Sequence, residues 1–273
     1  MDKISLAGDL GSGKSTVSKL VTEALGMEYY STGTICRAVT ARHGWTVAEM
    51  NQYMETHPEI DREIDDGLVA LSDDPRALLI DSRMAFHFVR DTFRVYLTTE
   101  VAVSAARIHA AGRSEEHFAT VEETEREIRR RRDSEKKRYM EFYGVNIKDL
   151  RHYDLVLDST YITPEEVAAE IVLSFRRWQE NGHHLRVCYL SPLRLFYRDD
   201  PPAPEDVAAF TARIEAGERP TVPVAFDGER FLVPGEPALP LAYALSDIPL
   251  APCSLSEAAT ACDGKYVRMV NAL

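Results

Sequence analysis

The sequence predicts an α/β fold in which a five-stranded parallel sheet is covered by helices on both faces and is followed by a small α+β region. Five short apolar segments alternate with segments of helical periodicity over residues 3–180, and this alternation is typical of parallel sheets that are buried on both sides. A glycine-rich loop at residues 8–15 joins the first apolar segment to the first helical one. The long helical patterns stop near residue 182, where the second region begins.

The first strand and the first helix flank the glycine loop (residues 8–15). Residues 3–7 read Lys-Ile-Ser-Leu-Ala and form a short buried strand. Residues 15–25 are expected to be helical, because apolar side chains recur there on one helix face. Those side chains are Val17, Leu20, Val21, Ala24 and Leu25. Gly26 then occupies the position at which glycine commonly ends a helix.

The other strands of the predicted sheet are four short apolar segments. They lie at residues 27–30, 77–80, 93–97 and 154–157. Residues 34–71 are expected to be largely helical, and Thr46 and Glu49 have the spacing of a capping box. A long charged helical stretch separates the last two strands. Thr163 and Glu166 form a second capping box, which opens the final helix of this part of the chain.

A change of composition divides the chain. Of the 14 prolines, 11 lie in residues 186–273, and the long helices end before them. We therefore predict a main domain at residues 1–181 and an accessory domain at residues 186–273. The accessory domain is expected to be a structural appendage or a dimerisation element, so the protein has a possible homo-oligomer contact through it.

Charge and composition exclude several classes of protein. The formal net charge is -12, which disfavours binding of extended nucleic acid, because that needs clustered positive charge. No run of about 18 apolar residues is present, so no membrane contact is expected. The first residues lack the pattern of a secretory signal, and we expect a cytoplasmic protein. The 4 cysteines are scattered without a paired motif, which argues against a disulfide framework and against a zinc site.

The glycine loop carries the strongest functional signal. It matches the pattern G-x-x-x-x-G-K-[ST] at every position. Glycines allow backbone N–H groups to surround phosphate oxygens, the lysine neutralises the β- and γ-phosphates, and the final hydroxyl ligates Mg²⁺. The sequence therefore predicts an ATP site with Mg²⁺. Its residues are Gly8, Gly11, Ser12, Gly13, Lys14, Ser15 and Thr16, with Ser15 as a metal ligand.

Two polar segments next to predicted strands indicate a second anion site. Residues 31–37 form a polar turn that ends in Arg37. Asp81 and Arg83 follow the third strand at its carboxyl end, which is where ligands bind in open parallel sheets. Asp81 is predicted to orient Mg²⁺ and its water, and Arg83 to pair with a phosphate. A surface salt bridge is the alternative for each arginine taken alone.

The stretch at residues 125–138 is the third candidate. It holds eight basic and four acidic residues. An exposed helix with internal salt bridges is one interpretation. A mobile arginine-bearing lid is the other, because a phosphotransferase has to exclude water and neutralise transition-state charge.

These segments together resemble a known family. Residues 1–180 are similar to the archaeal type of cytidylate kinase, within the nucleoside-monophosphate kinase family. The matching segments are GDLGSGKST, STGTICR, HPEIDREID, DSR and RRDSEKKRYMEFYGVNIKDLRHYDLVLDST. The resemblance implies a kinase that transfers phosphate from ATP to CMP or dCMP, with a clamp for the acceptor nucleotide and a lid.

The resemblance also implies roles for particular residues. Arg37 and Arg83 would grip the acceptor phosphate, in the neighbourhood of Ser31 and Gly33. Arg131 and Arg138 would be catalytic arginines of the lid, acting with Lys14 and Asp81. Asp61 would face the base of the acceptor.

Two positions depart from the family pattern, and both lie on the acceptor side. Thr34 replaces a common acidic residue, and Ser82 stands between Asp81 and Arg83 where the family has Glu-Gly-Arg. A modified nucleotide or another small phosphorylated acceptor is therefore an alternative to cytidylate. A non-catalytic nucleotide-binding protein is a further alternative.

The C-terminal region carries a faint second resemblance. The run DGERFLVPGEPALPLAYAL is similar to the ParB/sulfiredoxin-like fold, which has Gly-His-x-Arg after a strand. Here Glu236, Pro237, Ala238 and Leu239 occupy that segment. The residues for phosphate chemistry are missing, so a module of this kind would be non-catalytic.

Overall fold

The computed structural model describes residues 1–33, 36, 42–54, 56–111, 119–198, 202–256 and 266–269. The strands are β1 Lys3–Gly8, β2 Glu28–Ser31, β3 Leu78–Asp81, β4 Thr92–Thr98, β5 Leu155–Asp158, β6 Val187–Leu190, β7 Leu195–Arg198, β8 Val222–Phe226, β9 Phe231–Val233, β10 Ala251–Ser256 and β11 Tyr266–Arg268. The helices are α1 Lys14–Leu25, α2 Val47–Met54, α3 Pro58–Ala70, α4 Ala85–Phe88, α5 Val101–Ala111, α6 Val121–Tyr143, α7 Pro164–Glu180, α8 Pro204–Glu215 and α9 Ala238–Leu245.

The predicted five-stranded parallel sheet is confirmed. Its strands lie side by side in the order β5-β4-β1-β3-β2, and every neighbouring pair is parallel. Strand β1 lies between β3 and β4 and is buried along its whole length. The glycine loop that follows it therefore emerges at the middle of the sheet, at the carboxyl ends of the strands.

The C-terminal strands extend the same sheet. Strand β6 pairs with β5 in parallel, with Leu155 opposite Val187. Beyond it the order is β6-β10-β8-β9-β7-β11, so the described residues form a mixed sheet of 11 strands. The boundary predicted at residues 182–185 thus lies between two strands that are hydrogen-bonded neighbours. Whether residues 1–181 fold as a separate domain stays a prediction.

Two hydrophobic cores lie on the two faces of the sheet. On one face, Phe93 of β4 packs against Phe175 and Trp178 of α7, with ring centroids 5.8 Å and 5.6 Å apart. On the other face, the core runs from Tyr96 and Val156 into side chains of the C-terminal strands. These include Leu190, Leu195, Val222, Val224 and Phe231. The C-terminal region is therefore joined to the parallel strands by both backbone pairing and apolar packing.

The charged stretch is a single helix. Helix α6 begins after Thr120, whose side chain accepts a hydrogen bond from the Glu123 N–H, and ends at Gly144 in the left-handed conformation. The predicted capping boxes are also present, since Thr46 and Glu49 bond reciprocally, as do Thr163 and Glu166. In the described part of the chain, no helix is both long enough and apolar enough to cross a membrane.

Candidate active site

The glycine loop is shaped by close packing against its neighbours. Gly8 ends β1, and a Cβ atom there would lie 2.5 Å from the Leu97 carbonyl oxygen of β4. Gly11 has a φ of +72°, and a Cβ atom there would lie 2.8 Å from the Ser104 carbonyl oxygen of α5. Both positions exclude a side chain, so the loop backbone can turn inward above the sheet.

Lys14 folds back over the glycine loop. Its Nζ donates hydrogen bonds to the carbonyl oxygens of Gly8 and Asp9, each at 2.9 Å. Burial and the nearby Arg83 lower the pKa of Lys14 to about 7, against the opposing charges of Asp81 and Asp9. A bound phosphate would place a negative charge beside this buried ammonium group and so favour its charged form. The surroundings of Lys14 therefore suit an anion site.

An arginine cluster lies beside the glycine loop, where Arg83 and Arg131 pair with the Glu135 carboxylate. Arg83 Nε is 3.1 Å from Glu135 Oε2, and Arg131 Nε is 3.1 Å from Glu135 Oε1. Arg83 also donates to the Gly8 carbonyl oxygen. Burial alone would raise the pKa of Glu135, but Arg83, Arg131 and Arg138 lower it to about 2. The carboxylate is therefore charged at neutral pH and orients two guanidinium groups, which together retain a net positive charge.

Arg138 and Asp61 form a buried pair between α6 and α3. Arg138 Nε is 3.1 Å from Asp61 Oδ2, and the side chains are 3% and 5% exposed. Arg138 Nη1 has no hydrogen-bond partner within the described residues. One turn along α3, Asp65 accepts a hydrogen bond from the Tyr143 hydroxyl. The pair therefore presents a charged donor and a charged acceptor side by side.

Asp81 lies at the carboxyl end of β3. Its Oδ2 accepts a hydrogen bond of 2.9 Å from the Tyr29 hydroxyl. Asp81 and the Ser15 hydroxyl line the same cavity as Lys14. Among the residues that the structure describes, no group of three or more metal-ligating side chains exists. The donor set nevertheless fits Mg²⁺, because this ion is usually held by one or two protein oxygens together with substrate phosphates and water.

A single cavity of about 520 Å³ connects these groups. It is lined by the following predicted residues: Gly11, Ser12, Gly13, Lys14, Ser15, Thr16, Ser31, Gly33, Asp61, Asp81, Arg83, Arg131 and Arg138. Gly8 does not line this cavity, but it accepts hydrogen bonds from Lys14 and Arg83 as described. Arg37 and Thr34 lie outside the described residues, so their predicted roles stay predictions.

Other residues of the cavity were missed by the sequence analysis. At the end opposite Asp61, Arg107 donates to the carbonyl oxygens of Ser159 and Thr160 at 2.9 Å and 3.1 Å. Ser159 lines the cavity together with Ile162 and Val167. Ser159 and Ile162 follow the carboxyl end of β5, and the rule used for Asp81 would have indicated them. Arg107 lies on α5, which that rule does not reach.

Asp9 was also missed, since the loop pattern leaves its position open. It is buried and accepts hydrogen bonds from the Tyr96 hydroxyl at 2.9 Å and from the Thr99 N–H at 3.0 Å. Lys148 also donates to it. Burial would raise the pKa of Asp9, but Lys148 and Arg132 hold it well below its usual range. This charged side chain fixes the start of the glycine loop to β4 and to residue 148.

Comparison with known proteins identifies the family of this chain. The family model of the cytidylate kinase-like family matches residues 3–161. The chain belongs to the cytidylate kinase-like family. It is therefore a phosphotransferase, and its archaeal relatives are nucleotide kinases. One of them, the cytidylate kinase of Archaeoglobus fulgidus, is 35% identical over 172 residues, which cover 63% of this chain and 92% of that protein.

Two other proteins are similar to this chain over different shares of their own length. An S-adenosylmethionine-dependent nucleotide dehydratase of Lacinutrix mariniflava is 31% identical over 202 residues, which are 68% of this chain and 41% of that protein. The chain thus spans about two-fifths of that relative. Among solved structures, a shikimate kinase from Acinetobacter baumannii is similar with a TM-score of 0.42 and 19% identity, over 65% of this chain and 94% of that chain.

Proposed function

We propose that this chain transfers a phosphoryl group from ATP to a nucleoside monophosphate, with CMP or dCMP as the acceptor. One observation carries the proposal: a single cavity joins the glycine-loop lysine to the buried Asp61–Arg138 pair. The two ends of that cavity offer different chemistry, a phosphate cradle with flanking backbone carbonyls and a pair of opposite charges. Two nucleotides placed end to end would meet at Lys14, Arg83 and Arg131.

The donor nucleotide occupies the loop end. Loop N–H groups and Lys14 bind the phosphates, and the start of α1 adds its positive dipole. The nucleoside end then reaches Arg107 and Ser159. Mg²⁺, held by Ser15 and by water on Asp81, would neutralise charge on the β- and γ-phosphates when bound.

The acceptor phosphate lies beside the arginine cluster. Arg83 and Arg131 are already oriented by Glu135, so little reorganisation is needed when a phosphate enters. Arg37 would be a third contact. The acceptor oxygen is ionised at neutral pH, and hence the reaction needs no general base and proceeds by in-line transfer, aided by positioning and charge neutralisation.

The acceptor base pairs with Asp61 and Arg138. Cytosine presents an amino donor at N4 next to acceptors at N3 and O2. A carboxylate beside a guanidinium group is complementary to that edge, with Asp61 accepting from N4 and Arg138 donating to N3 or O2. Uracil presents an acceptor at position 4 and a donor at N3, which would oppose both groups. This pattern favours cytosine.

A modified nucleotide is the second candidate acceptor. The family resemblance assigns the departures at Thr34 and Ser82 to the acceptor side, and Ser82 lines the cavity. Similarity to a protein that is named a nucleotide dehydratase also favours an acceptor other than CMP or dCMP. A coupled assay of ADP release with CMP, dCMP, UMP, AMP, GMP and dehydrated nucleotides tests both. CMP or dCMP as the preferred acceptor supports the first candidate, and preference for a dehydrated nucleotide supports the second.

A further inference from the structure

One arginine of the C-terminal region is buried at the end of the parallel sheet. Arg194 lies between β6 and β7, and its side chain is 8% exposed. Its Nη1 is 2.9 Å from Asp158 Oδ1 and 3.2 Å from Thr98 Oγ1. Asp158 is the last residue of β5 and is 1% exposed. A carboxylate buried to this degree needs a partner of opposite charge, and Arg194 supplies it.

Asp158 also fixes the turn that follows β5. Its Oδ1 accepts hydrogen bonds from the Thr160 N–H at 2.9 Å and from the Thr160 hydroxyl at 2.5 Å. Its Oδ2 accepts the Ser191 N–H at 3.0 Å. One carboxylate thus binds two segments together, the turn at residues 159–160 and the C-terminal segment at residues 191–194.

The same turn forms one end of the candidate active site. The carbonyl oxygens of Ser159 and Thr160 accept from Arg107, as described above. The Ser159 hydroxyl donates to the Ser12 carbonyl oxygen of the glycine loop at 3.0 Å. Arg107 and Ser159 both line the cavity. An unbroken series of contacts therefore leads from Arg194 through Asp158 to the donor end.

A second arginine of the C-terminal region approaches this turn. Arg268 Nη2 is 2.5 Å from Glu100 Oε2, and the Glu100 N–H donates to Thr160 Oγ1 at 3.1 Å. The Arg268 side chain is 29% exposed, so solvent weakens its pair more than that of Arg194. The buried contact is the stronger of the two.

We propose that Arg194 is a positioning residue for the ATP end of the active site. It holds Asp158, and Asp158 holds the Ser159–Thr160 turn and, with it, Arg107. The C-terminal region thereby contributes to donor binding instead of serving only as an appendage. This inference rests on the proposed placement of ATP at the glycine loop. It does not depend on which nucleotide is the acceptor.

The test compares the full-length protein with Arg194→Met. We expect the Kd for ATP, measured by titration calorimetry, and the KM for ATP to rise tenfold or more. The KM for CMP should change by less than twofold. Arg194→Lys keeps the charge and should stay within about threefold of the wild type. Arg213→Met is the matched control, because Arg213 pairs with Glu218 on the surface of the same region, and it should change neither constant.

A second variant keeps the proposal testable if Arg194→Met does not fold. The double variant Asp158→Asn/Arg194→Met buries no charge. In Asp158 one carboxylate oxygen faces Thr160 and the other faces Ser191. The asparagine amide has only one oxygen, so one of the two segments loses its acceptor, and the selective loss of ATP binding should persist. An unchanged Kd for ATP in a folded variant, or an equal rise in both KM values, would overturn the proposal. If wild-type protein binds ATP but does not phosphorylate CMP, the proposed acceptor is wrong, and the Kd comparison still decides the role of Arg194.

Discussion

At the residue scale, the proposed selection of cytosine depends on Asp61. Asp61→Asn keeps the shape but removes the charge that pairs with Arg138 and adds a donor that opposes the N4 amino group. A hydrogen bond to a charged group contributes about 1.5–3 kcal/mol, so kcat/KM for CMP should fall about 10- to 100-fold. The value for UMP should fall much less.

Steady-state kinetics with both nucleotides check this expectation. Glu59→Gln is the control, because Glu59 is exposed on the same helix. An unchanged ratio of CMP to UMP efficiency in Asp61→Asn would remove the argument for cytosine.

Asp65 gives a prediction about pH and stability. Burial raises the pKa of Asp65, the Tyr143 hydrogen bond and Arg138 oppose the rise, and nearby Asp61 and Asp66 add to it. Together these effects bring the pKa from 3.8 to about 6. The Asp65 carboxyl group therefore stays protonated up to a higher pH in the folded protein than in the unfolded chain. Between the two pKa values the unfolded state holds fewer protons, so the free energy of unfolding falls as the pH rises through that window.

Asp65→Asn removes this titration and can still accept the Tyr143 hydroxyl. We expect the variant to gain stability over the wild type at pH 7 and to lose most of that gain near pH 4, as measured by urea unfolding at a series of pH values. Glu59→Gln, at an exposed position of the same helix, should show no such pH-dependent gain. The same gain at every pH would contradict the buried-acid explanation.

At the scale of elements, local patterns predicted the parallel strands well. Each of the five is an apolar run that ends at a polar residue or a glycine, and the observed bounds differ from the predicted ones by at most one residue. The pairing of β6 with β5 and β10 was not foreseen, because partners such as Cys188 and Cys253 are far apart in the sequence and local periodicity carries no information about pairing.

The candidate site shows the same contrast between features encoded by local sequence and contacts that depend on the fold. The glycine loop was predicted because its chemistry is encoded in eight consecutive residues. The contact of Arg194 with Asp158 joins residues 36 positions apart, and Glu135 binds arginines from two different elements. Such contacts depend on the fold. They could not be read from spacing along the chain.

A chain that ends at residue 181 tests the predicted division. The predicted main domain at residues 1–181 contains every predicted site residue, which suggests that this part folds and retains the chemistry. The structure gives a reason to expect otherwise, since the cut removes the strand paired with β5 and the Arg194 partner of Asp158. We expect a lower melting temperature and a KM for ATP at least tenfold above that of the full chain. A truncated chain that matches the full protein in both would show that residues 186–273 are an appendage.

At the scale of the whole molecule, the sheet organises the two ends of the cavity. The carboxyl ends of β1, β3 and β5 deliver the glycine loop, Asp81 with Arg83, and the Ser159 turn to one edge. Helices α3 and α6 add Asp61, Arg131 and Arg138 from the other side. The C-terminal strands continue the sheet beyond β5. The proposed phosphoryl transfer between two nucleotides would use all of these elements at once.

The most direct measurement is the product ratio when the purified protein is mixed with ATP, Mg²⁺ and CMP. Separation of the nucleotides by ion-exchange chromatography should show ADP and CDP rising together in equal amounts. Lys14→Ala should form both at least about 10²-fold more slowly, because a preorganised charge on the transferred phosphate is lost, whereas Lys19→Ala, on an exposed face of the same helix, should match the wild type. ADP without any phosphorylated acceptor, or turnover by Lys14→Ala within threefold of the wild type, would contradict the account.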